Sequence, residues 1–148
     1  MSRQDEALKT FIAMKRTINN FEIQSRKQIG QFNLNMNEFA VLEILFHKGV
    51  RTTQQLKEGI LIANSSTTYI VDNLEKKGYV FREFSQEDKR IILVDLTHNG
   101  RQLMSDIFPM HAELLTNNFD RLTIGEITQI RQLLKKMNGI QDPEPGKD

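Results

Sequence analysis

The stretch that decides the fold runs from Asn64 to Thr97 and reads NSSTTYIVDNLEKKGYVFREFSQEDKRIILVDLT. It opens with the polar cluster Asn64–Tyr69 and continues with apolar residues at helical spacing as far as Gly78. Two short segments with alternating apolar residues follow, separated by the charged turn 85–90. This order predicts a short amphipathic helix followed by a two-stranded hairpin.

The first turn of this helix and the tip of the hairpin both carry side chains suited to nucleic acid. Short hydroxyl and amide groups let the start of a helix approach phosphates and base edges closely, and its free amides add donors. Arg90 at the hairpin tip can enter a narrow minor groove, Asp88 can orient its guanidinium, and Lys89 can contact phosphate. Capping explains one polar residue but not a run of them, whereas a charged tip is also typical of ordinary solvated turns.

Two predicted helices precede this region. Asn35 and Glu38 have the spacing of a capping box, and the apolar segment 39–46 that follows predicts a helix covered on several sides. Thr52 and Gln55 repeat that spacing at the start of a short third helix. Two short helices joined by a brief turn, the second polar at its start, form a helix-turn-helix pattern.

Long helices are predicted on both sides of this core. The fold class is therefore mainly α with a small β-hairpin wing, in one domain over 1–140, followed by a disordered tail at 141–148. The winged helix-turn-helix occupies 34–97, and helices lie in 5–30 and 98–138. Their apolar stripes exceed what a small core needs, which favours pairing with a second chain over packing within one chain. The residues expected at that dimer interface are Leu8, Ile18, Leu114, Phe119, Ile127, Ile130 and Leu134.

Composition limits the alternatives. The chain has 148 residues, 26% of them charged, and a net charge of only +1. If it binds DNA, its few excess positive charges must therefore lie where they meet the duplex, because there is no general excess of positive charge. Segment 72–90 contains five basic and five acidic residues, which sum to zero. With no cysteine, the chain has no disulfide, thiolate metal site or thiol redox switch.

Other classes of protein lack support in the sequence. No apolar run approaches the length needed to cross a bilayer, and the polar start 1–6 is unlike a signal peptide, so we expect a cytoplasmic protein without a membrane partner. No Gly-rich phosphate loop or Ser-His-Asp set with recognisable spacing is present. We therefore expect neither catalysis nor a cofactor.

Three motifs in order resemble a known family. Segment 66–80 resembles the recognition helix of the MarR family of bacterial transcription regulators, Asp88-Lys89-Arg90 resembles its Asp-x-Arg wing motif, and segment 96–100 resembles its Leu-Thr-x-x-Gly motif. The resemblance covers all but the tail and implies a dimeric winged helix-turn-helix regulator, most often a repressor. It implies as partners double-stranded DNA with a pseudo-palindromic operator and a second copy of the chain.

The resemblance also implies which side chains touch DNA. Many relatives carry basic residues at the positions of Tyr69 and Asn73, so a different operator is implied here. The expected DNA contacts are Thr53, Gln54, Asn64, Ser65, Ser66, Thr67, Thr68, Tyr69, Asn73, Lys76, Arg82, Asp88, Lys89 and Arg90.

A small effector is a further implication. Segment 69–72 is similar to that of relatives that respond to quinones, phenols or oxidants, and the chain lacks the cysteine with which peroxide-sensing relatives work. In the family, effectors bind between the dimerisation helices and the winged helix, and an aromatic pocket there suits a phenolic or quinone-like ring. Simple core packing is the alternative for each candidate residue. The candidates are Phe11, Met14, Phe39, Phe46, His47, Phe108 and His111.

Two other functions stay open on the sequence alone. A winged helix can bind another protein instead of duplex, and a steep salt dependence of DNA binding would separate the two cases. Some relatives bind zinc through His and Glu, but Asp106, His111 and Glu113 lack the spacing of a His-x-x-x-His site, so we predict no metal ligands.

Overall fold

The computed structural model describes residues 1–60 and 64–141, apart from the side chains of Asn64 and Ser65. Residues 142–148, which belong to the tail predicted to be disordered, lie outside the residues described. The elements in chain order are α1 (Arg3–Gly30), α2 (Met36–Lys48), β1 (Arg51–Thr52), α3 (Thr53–Ile60), α4 (Asn64–Lys76), β2 (Val80–Phe84), β3 (Ile92–Leu96), α5 (His98–Asn117) and α6 (Ile124–Met137).

The chain forms two compact units, Met1–Ala112 and the part from Glu113 onward. The first unit contains the helix-turn-helix and the sheet, so the mainly α winged-helix fold class is confirmed. The interpretation of residues 1–140 as one domain stays a prediction. In the described part of the chain, no helix is long and apolar enough to span a bilayer.

The predicted helix starts are confirmed by their hydrogen bonds. The backbone N–H of Glu38 donates to Oδ1 of Asn35 at 2.8 Å, and Glu38 Oε1 accepts the N–H of Asn35 at 3.1 Å. Thr52 and Gln55 make the same reciprocal pair ahead of α3, at 3.0 and 2.9 Å. Such pairs satisfy amides that have no partner inside the helix, and they fix where each helix begins.

The sheet has three strands in the order β1-β3-β2, so the expectation of a two-stranded hairpin was incomplete. Arg51 lies opposite Val94 and Thr52 opposite Leu93, both antiparallel. A strand of two residues is too short to show the alternation by which strands are predicted. It ties the start of α3 to the wing.

The core of the first unit lies between the helix-turn-helix and the sheet. Apolar side chains from α2, α3, α4, the sheet and α5 meet there and exclude water, which is the main favourable term in folding. Its members are Phe39, Val41, Leu42, Leu45, Leu56, Ile70, Val71, Leu74, Val80, Val94, Leu96, Met104 and Ile107, joined by Ile29 and Leu34.

The end of α4 is fixed in direction by Gly78. Its φ of +81° favours glycine, and the N–H groups of Gly78 and Tyr79 donate to the carbonyls of Glu75 and Leu74, both at 3.0 Å. This pair of bonds is a Schellman motif, which ends the helix and turns the chain into β2.

The start of α5 is fastened to the same turn. The Thr97 hydroxyl donates to the carbonyl of Gly78 at 2.6 Å and accepts the N–H of Gly100 at 3.0 Å. A Cβ at Gly100 would overlap the carbonyl oxygen of Tyr79. The Leu-Thr-x-x-Gly segment therefore permits a close approach of helix to backbone that a larger residue would prevent.

Candidate nucleic-acid interface

One side of α4 is free of the core. Ser66, Thr68 and Tyr69 are exposed near its start, Tyr69 to 67%. Asn73 is half-buried and Lys76 is exposed further along. Hydroxyl, phenol, amide and ammonium groups thus follow one another along the outward side of the helix, which suits contacts to base edges and phosphates.

Thr67, another predicted DNA contact, is buried, which argues against a contact between its side chain and DNA. Its side chain is only 3% exposed, because Ile70 and Leu74 follow at three and seven residues and place it on the inward face of α4. A polar run longer than one turn wraps around the helix, so at least one member must point inward. The side chains of Asn64 and Ser65, also predicted to touch DNA, lie outside those described.

Helix α3 presents fewer exposed polar side chains among the predicted DNA contacts than α4 does. Thr53, its first residue, is half-buried, and Gln54 is exposed. The Gln54 amide donates to Oε1 of Glu58 one turn later at 3.1 Å, a bond that a DNA contact would have to replace or share. Both residues stay predictions as DNA contacts.

The tip of the wing holds a well-formed ion pair. Nε and Nη2 of Arg90 donate to the two oxygens of Asp88 at 3.1 and 3.2 Å, and the Arg90 N–H adds a third bond at 3.0 Å. These bonds lower the pKa of Asp88, the side-chain bond most. The predicted pairing is confirmed. Since Arg90 is 91% exposed, its guanidinium keeps donors available, and Lys89 beside it is exposed too.

Arg82, another predicted DNA contact, is held within the protein. Its Nη2 lies 2.6 Å from Oδ1 of Asp72, and its Nε lies 3.2 Å from Oε2 of Glu75. The bond to Glu75 is the largest cause of an Arg82 pKa above its ordinary value. A β2 residue is thereby joined to two α4 residues.

The ion pair between Lys77 and Glu38 was not predicted from the sequence. Lys77, just after α4, places Nζ 2.8 Å from Oε2 of Glu38 and 2.7 Å from the carbonyl oxygen of Asn33. Glu38 is 5% exposed and also accepts the N–H of Asn35. Glu38 looked like a capping residue only, and nothing local indicates a partner 39 positions away.

An aromatic group of three residues joins α2 and α5. The ring centroids of Phe46 and His47 are 5.2 Å apart, those of His47 and Phe108 4.7 Å, and those of Phe46 and Phe108 6.1 Å. His47 and Phe108 are exposed, so a flat ligand could reach this group from solvent.

Phe39 and His111 form a second, buried pair with ring centroids 4.8 Å apart. Burial lowers the pKa of His111, and the charge of Glu43, whose Oε1 lies 3.9 Å from Nε2, opposes that shift in part. The Gln28 amide donates to the Met110 carbonyl at 3.2 Å. Among the described residues, buried Nδ1 of His111 and Oε1 of Gln28 have no hydrogen-bond partner.

Phe11 and Met14 lie apart from these rings. They share an apolar surface of α1 with Ile12 and Ile18, a surface lined by α1 residues alone. The structure therefore groups two of the predicted effector residues with a predicted dimerisation residue.

Comparison with known proteins identifies the chain. Residues 34–92 match the model of the MarR family. The transcriptional regulator MhqR of Bacillus subtilis, of the helix-turn-helix type, is 37% identical over 133 residues, which are 90% of this chain and 92% of MhqR. The chain belongs to the MarR family. Members of this family are transcription regulators and not enzymes. The chain is therefore a DNA-binding transcription regulator.

Solved MarR-like structures share its fold. AbsC, a MarR family regulator from Streptomyces coelicolor, superposes with a TM-score of 0.80 at 22% identity, over 94% of this chain and 95% of AbsC. NadR, solved in complex with 4-hydroxyphenylacetate, superposes with a TM-score of 0.74 at 24% identity, over 88% of this chain and 92% of NadR. At these identities the likeness concerns the fold alone.

The predicted dimerisation residues of this MarR-family chain include several that remain exposed. Leu8 and Ile18 on α1 and Ile130 and Leu134 on α6 are each at least 40% exposed. The other three predicted residues are half-buried, namely Leu114, Phe119 and Ile127. Apolar side chains exposed at helical spacing are typical of a surface covered by a partner.

The described ranges 1–60 and 64–141 contain no cluster of side chains that could bind a metal ion. No three His, Asp or Glu side chains lie close enough together there to hold an ion. His111 faces Phe39 and Glu43 rather than a set of ligands.

Proposed function

We propose that this chain is a homodimeric repressor that binds a pseudo-palindromic operator and is released by a small phenolic or quinone-like effector. The observation that carries the proposal is the placement of the polar side of α4 outside the core, with the freely exposed Arg90 on the adjoining wing. Helix and wing would then occupy neighbouring grooves of one duplex.

In this proposal, α4 enters the major groove with its polar side. Ser66 and Thr68 are short enough to bring the helix close to phosphates, and Tyr69 reaches further, to a phosphate or a thymine methyl. Lys76 supplies positive charge at the other end of α4. Contacts of this kind suit a chain of net charge +1, because donors aimed at bases and phosphates replace a broad basic surface.

The wing would read the adjacent minor groove through Arg90. A narrow, A·T-rich minor groove has an enhanced negative potential, which attracts a guanidinium. Asp88 holds the guanidinium in one direction but occupies only some of its five N–H donors, so the others can bind DNA. Lys89 would contact phosphate.

Dimerisation would use the exposed apolar residues of α1 and α6. Leu8, Phe11 and Ile18 on α1 are each more than half exposed, and Leu133 and Met137 on α6 equally so. A second copy related by a two-fold axis would cover such faces reciprocally and present two recognition helices about 34 Å apart, one turn of duplex.

The effector would bind at the rings on α2 and α5. Phe46, His47 and Phe108 offer aromatic faces, and the unpartnered polar atoms of His111 and Gln28 could receive a ligand's hydroxyl group. The complex of NadR with 4-hydroxyphenylacetate supports a phenolic ligand on this fold. Release requires that the effector bind more tightly to a form whose recognition helices no longer match the operator.

One series of experiments tests the proposal. Random duplexes are selected on the purified chain, and the winner is titrated against the protein at several salt concentrations and footprinted. We expect a two-fold symmetric site, a steep salt dependence and dimer stoichiometry. Simple phenols and quinones are then screened for release. Binding as a monomer, or selection of no symmetric site, would contradict the proposal.

A further inference from the structure

We infer that Arg82 positions the wing relative to the recognition helix and does not itself contact DNA. Its guanidinium donates to both oxygens of Glu75, through Nε at 3.2 Å and Nη2 at 3.3 Å, while Nη2 also lies 2.6 Å from Asp72. A bidentate pair with a second carboxylate fixes a guanidinium in both distance and orientation. The inference rests on the proposed placement of helix and wing on DNA.

The two sides of this contact belong to rigid elements. Asp72 and Glu75 are three residues apart on α4, so they lie one turn apart on the same face. Arg82 lies in the middle of β2, opposite Val94 of the central strand β3. Fixing Arg82 therefore fixes the angle at which the hairpin leaves the recognition helix.

The state of Arg82 differs from that of Arg90. The Arg82 side chain is 27% exposed and faces two carboxylates, whereas that of Arg90 is 91% exposed and faces one. A phosphate approaching Arg82 would have to displace two carboxylates and would meet their negative charges. The carboxylates of Asp72 and Glu75 therefore suit Arg82 to an internal contact between wing and helix. Arg90 is the arginine that is free to enter the minor groove.

The fit to DNA depends on this link because helix and wing must enter neighbouring grooves at once. The wing turn starts immediately after Phe84, two residues beyond Arg82. Without the link, the hairpin is guided by its attachment at Gly78, by the strand pairing and by the packing of Val80, Val94 and Leu96 in the core, none of which involves the polar side of α4. We therefore expect loss of Arg82 to release the wing from the DNA while α4 still binds.

The experiment compares Arg82→Ala, Arg82→Lys and the double variant Asp72→Asn/Glu75→Gln on the selected operator. Arg26→Ala, an exposed arginine on α1, is the control for loss of one positive charge. Affinity, its salt slope and hydroxyl-radical protection of the DNA are measured on each full-length variant. Circular dichroism melting checks that each variant is folded.

We expect Arg82→Ala and the double variant each to lose roughly tenfold in affinity, with smaller loss in Arg82→Lys. Protection should vanish at the minor-groove position of the wing and persist at the major-groove position of α4. The salt slope of Arg82→Ala should fall together with that protection, because Lys89 and Arg90 leave the DNA with the wing. The double variant should show the same fall, and adding Arg82→Ala to it should cause no further loss.

Two results would overturn the inference. One is a salt slope lowered by about one in Arg82→Ala while the protection at the wing position stays intact, as expected if Arg82 itself contacted a phosphate. The other is tighter binding with full wing protection in Asp72→Asn/Glu75→Gln, as expected if the carboxylates merely repel DNA. If the unsubstituted protein protects no minor-groove position at all, the proposed wing placement fails, and the inference fails with it.

Discussion

Lys77 and Glu38 form an ion pair of 2.8 Å that joins the end of the recognition helix to the start of α2. The ammonium also donates to the carbonyl of Asn33, so three bonded groups meet where the chain turns from α1 into α2. The position of α4 is thereby set by a polar contact as well as by its apolar face.

Replacing Lys77 with Met should destabilise the protein by about 1–3 kcal/mol, because Glu38 would stay buried with a charge that has lost its partner. Urea unfolding measures the change. Lys48→Met, an exposed lysine on α2, serves as the control and should change stability by less than about 0.5 kcal/mol. Equal stability of the two variants would show that the pair contributes nothing.

Replacing Arg90 with Ala should weaken operator binding by about 1 kcal/mol or more while leaving the melting temperature unchanged. The reason is that the Arg90 side chain lies almost wholly in solvent and, among the described residues, is hydrogen-bonded to Asp88. A gel-shift titration beside the Arg26→Ala control measures the loss. An undiminished affinity would remove Arg90 from the interface.

Gly100→Ala should destabilise the fold by about 1–3 kcal/mol, because the added methyl group overlaps the Tyr79 carbonyl and forces helix and turn apart. Gly125→Ala in α6 is the matched control, since its Cβ would meet nothing closer than Thr123 Oγ1 at 3.8 Å. That control should be neutral or gain up to about 1 kcal/mol from helix propensity. Thermal melts of both variants decide the matter, and a Gly100→Ala protein as stable as its control would argue against the tight approach.

Stability should fall as pH drops below the ordinary histidine pKa of 6.5, because burial lowers the pKa of His111 in the folded protein. Between the two pKa values the unfolded chain binds a proton that the folded chain does not, so acid favours unfolding there and the full stability returns above that window. The carboxyl pKa values lowered by hydrogen bonding, such as that of Asp88, act at lower pH.

Urea midpoints at about pH 5.5 and 7.5 provide the measurement, compared between the unsubstituted protein and His111→Phe. We expect the variant to lose most of this pH dependence, while His98→Gln, at an exposed position, retains it. The same slope in all three proteins would assign the effect to other groups.

Local patterns allowed the helices and their starts to be predicted from sequence. The capping pairs Asn35–Glu38 and Thr52–Gln55 each lie within four residues, and both form in the structure. The Asp88–Arg90 pair is equally local and was anticipated for the same reason. Interactions across so few residues depend little on the rest of the fold.

Contacts between distant segments could not be predicted in the same way. Arg82 was among the DNA contacts that the resemblance implied, yet its partners lie across a turn on α4. The burial of Thr67 was recoverable, since its helical phase matches Ile70 and Leu74, but the polar run obscured it. Strand β1 has only two residues and leaves no periodic signal.

The division of α4 into an inward apolar side and an outward polar side has an evolutionary consequence. Ser66, Thr68 and Tyr69 add nothing to the buried core, so under the proposed placement on DNA we expect mutations there to change which promoter is recognised with little risk of misfolding. Duplicated copies of such a gene can acquire new regulons one substitution at a time, and protein engineers can retarget the scaffold by the same route.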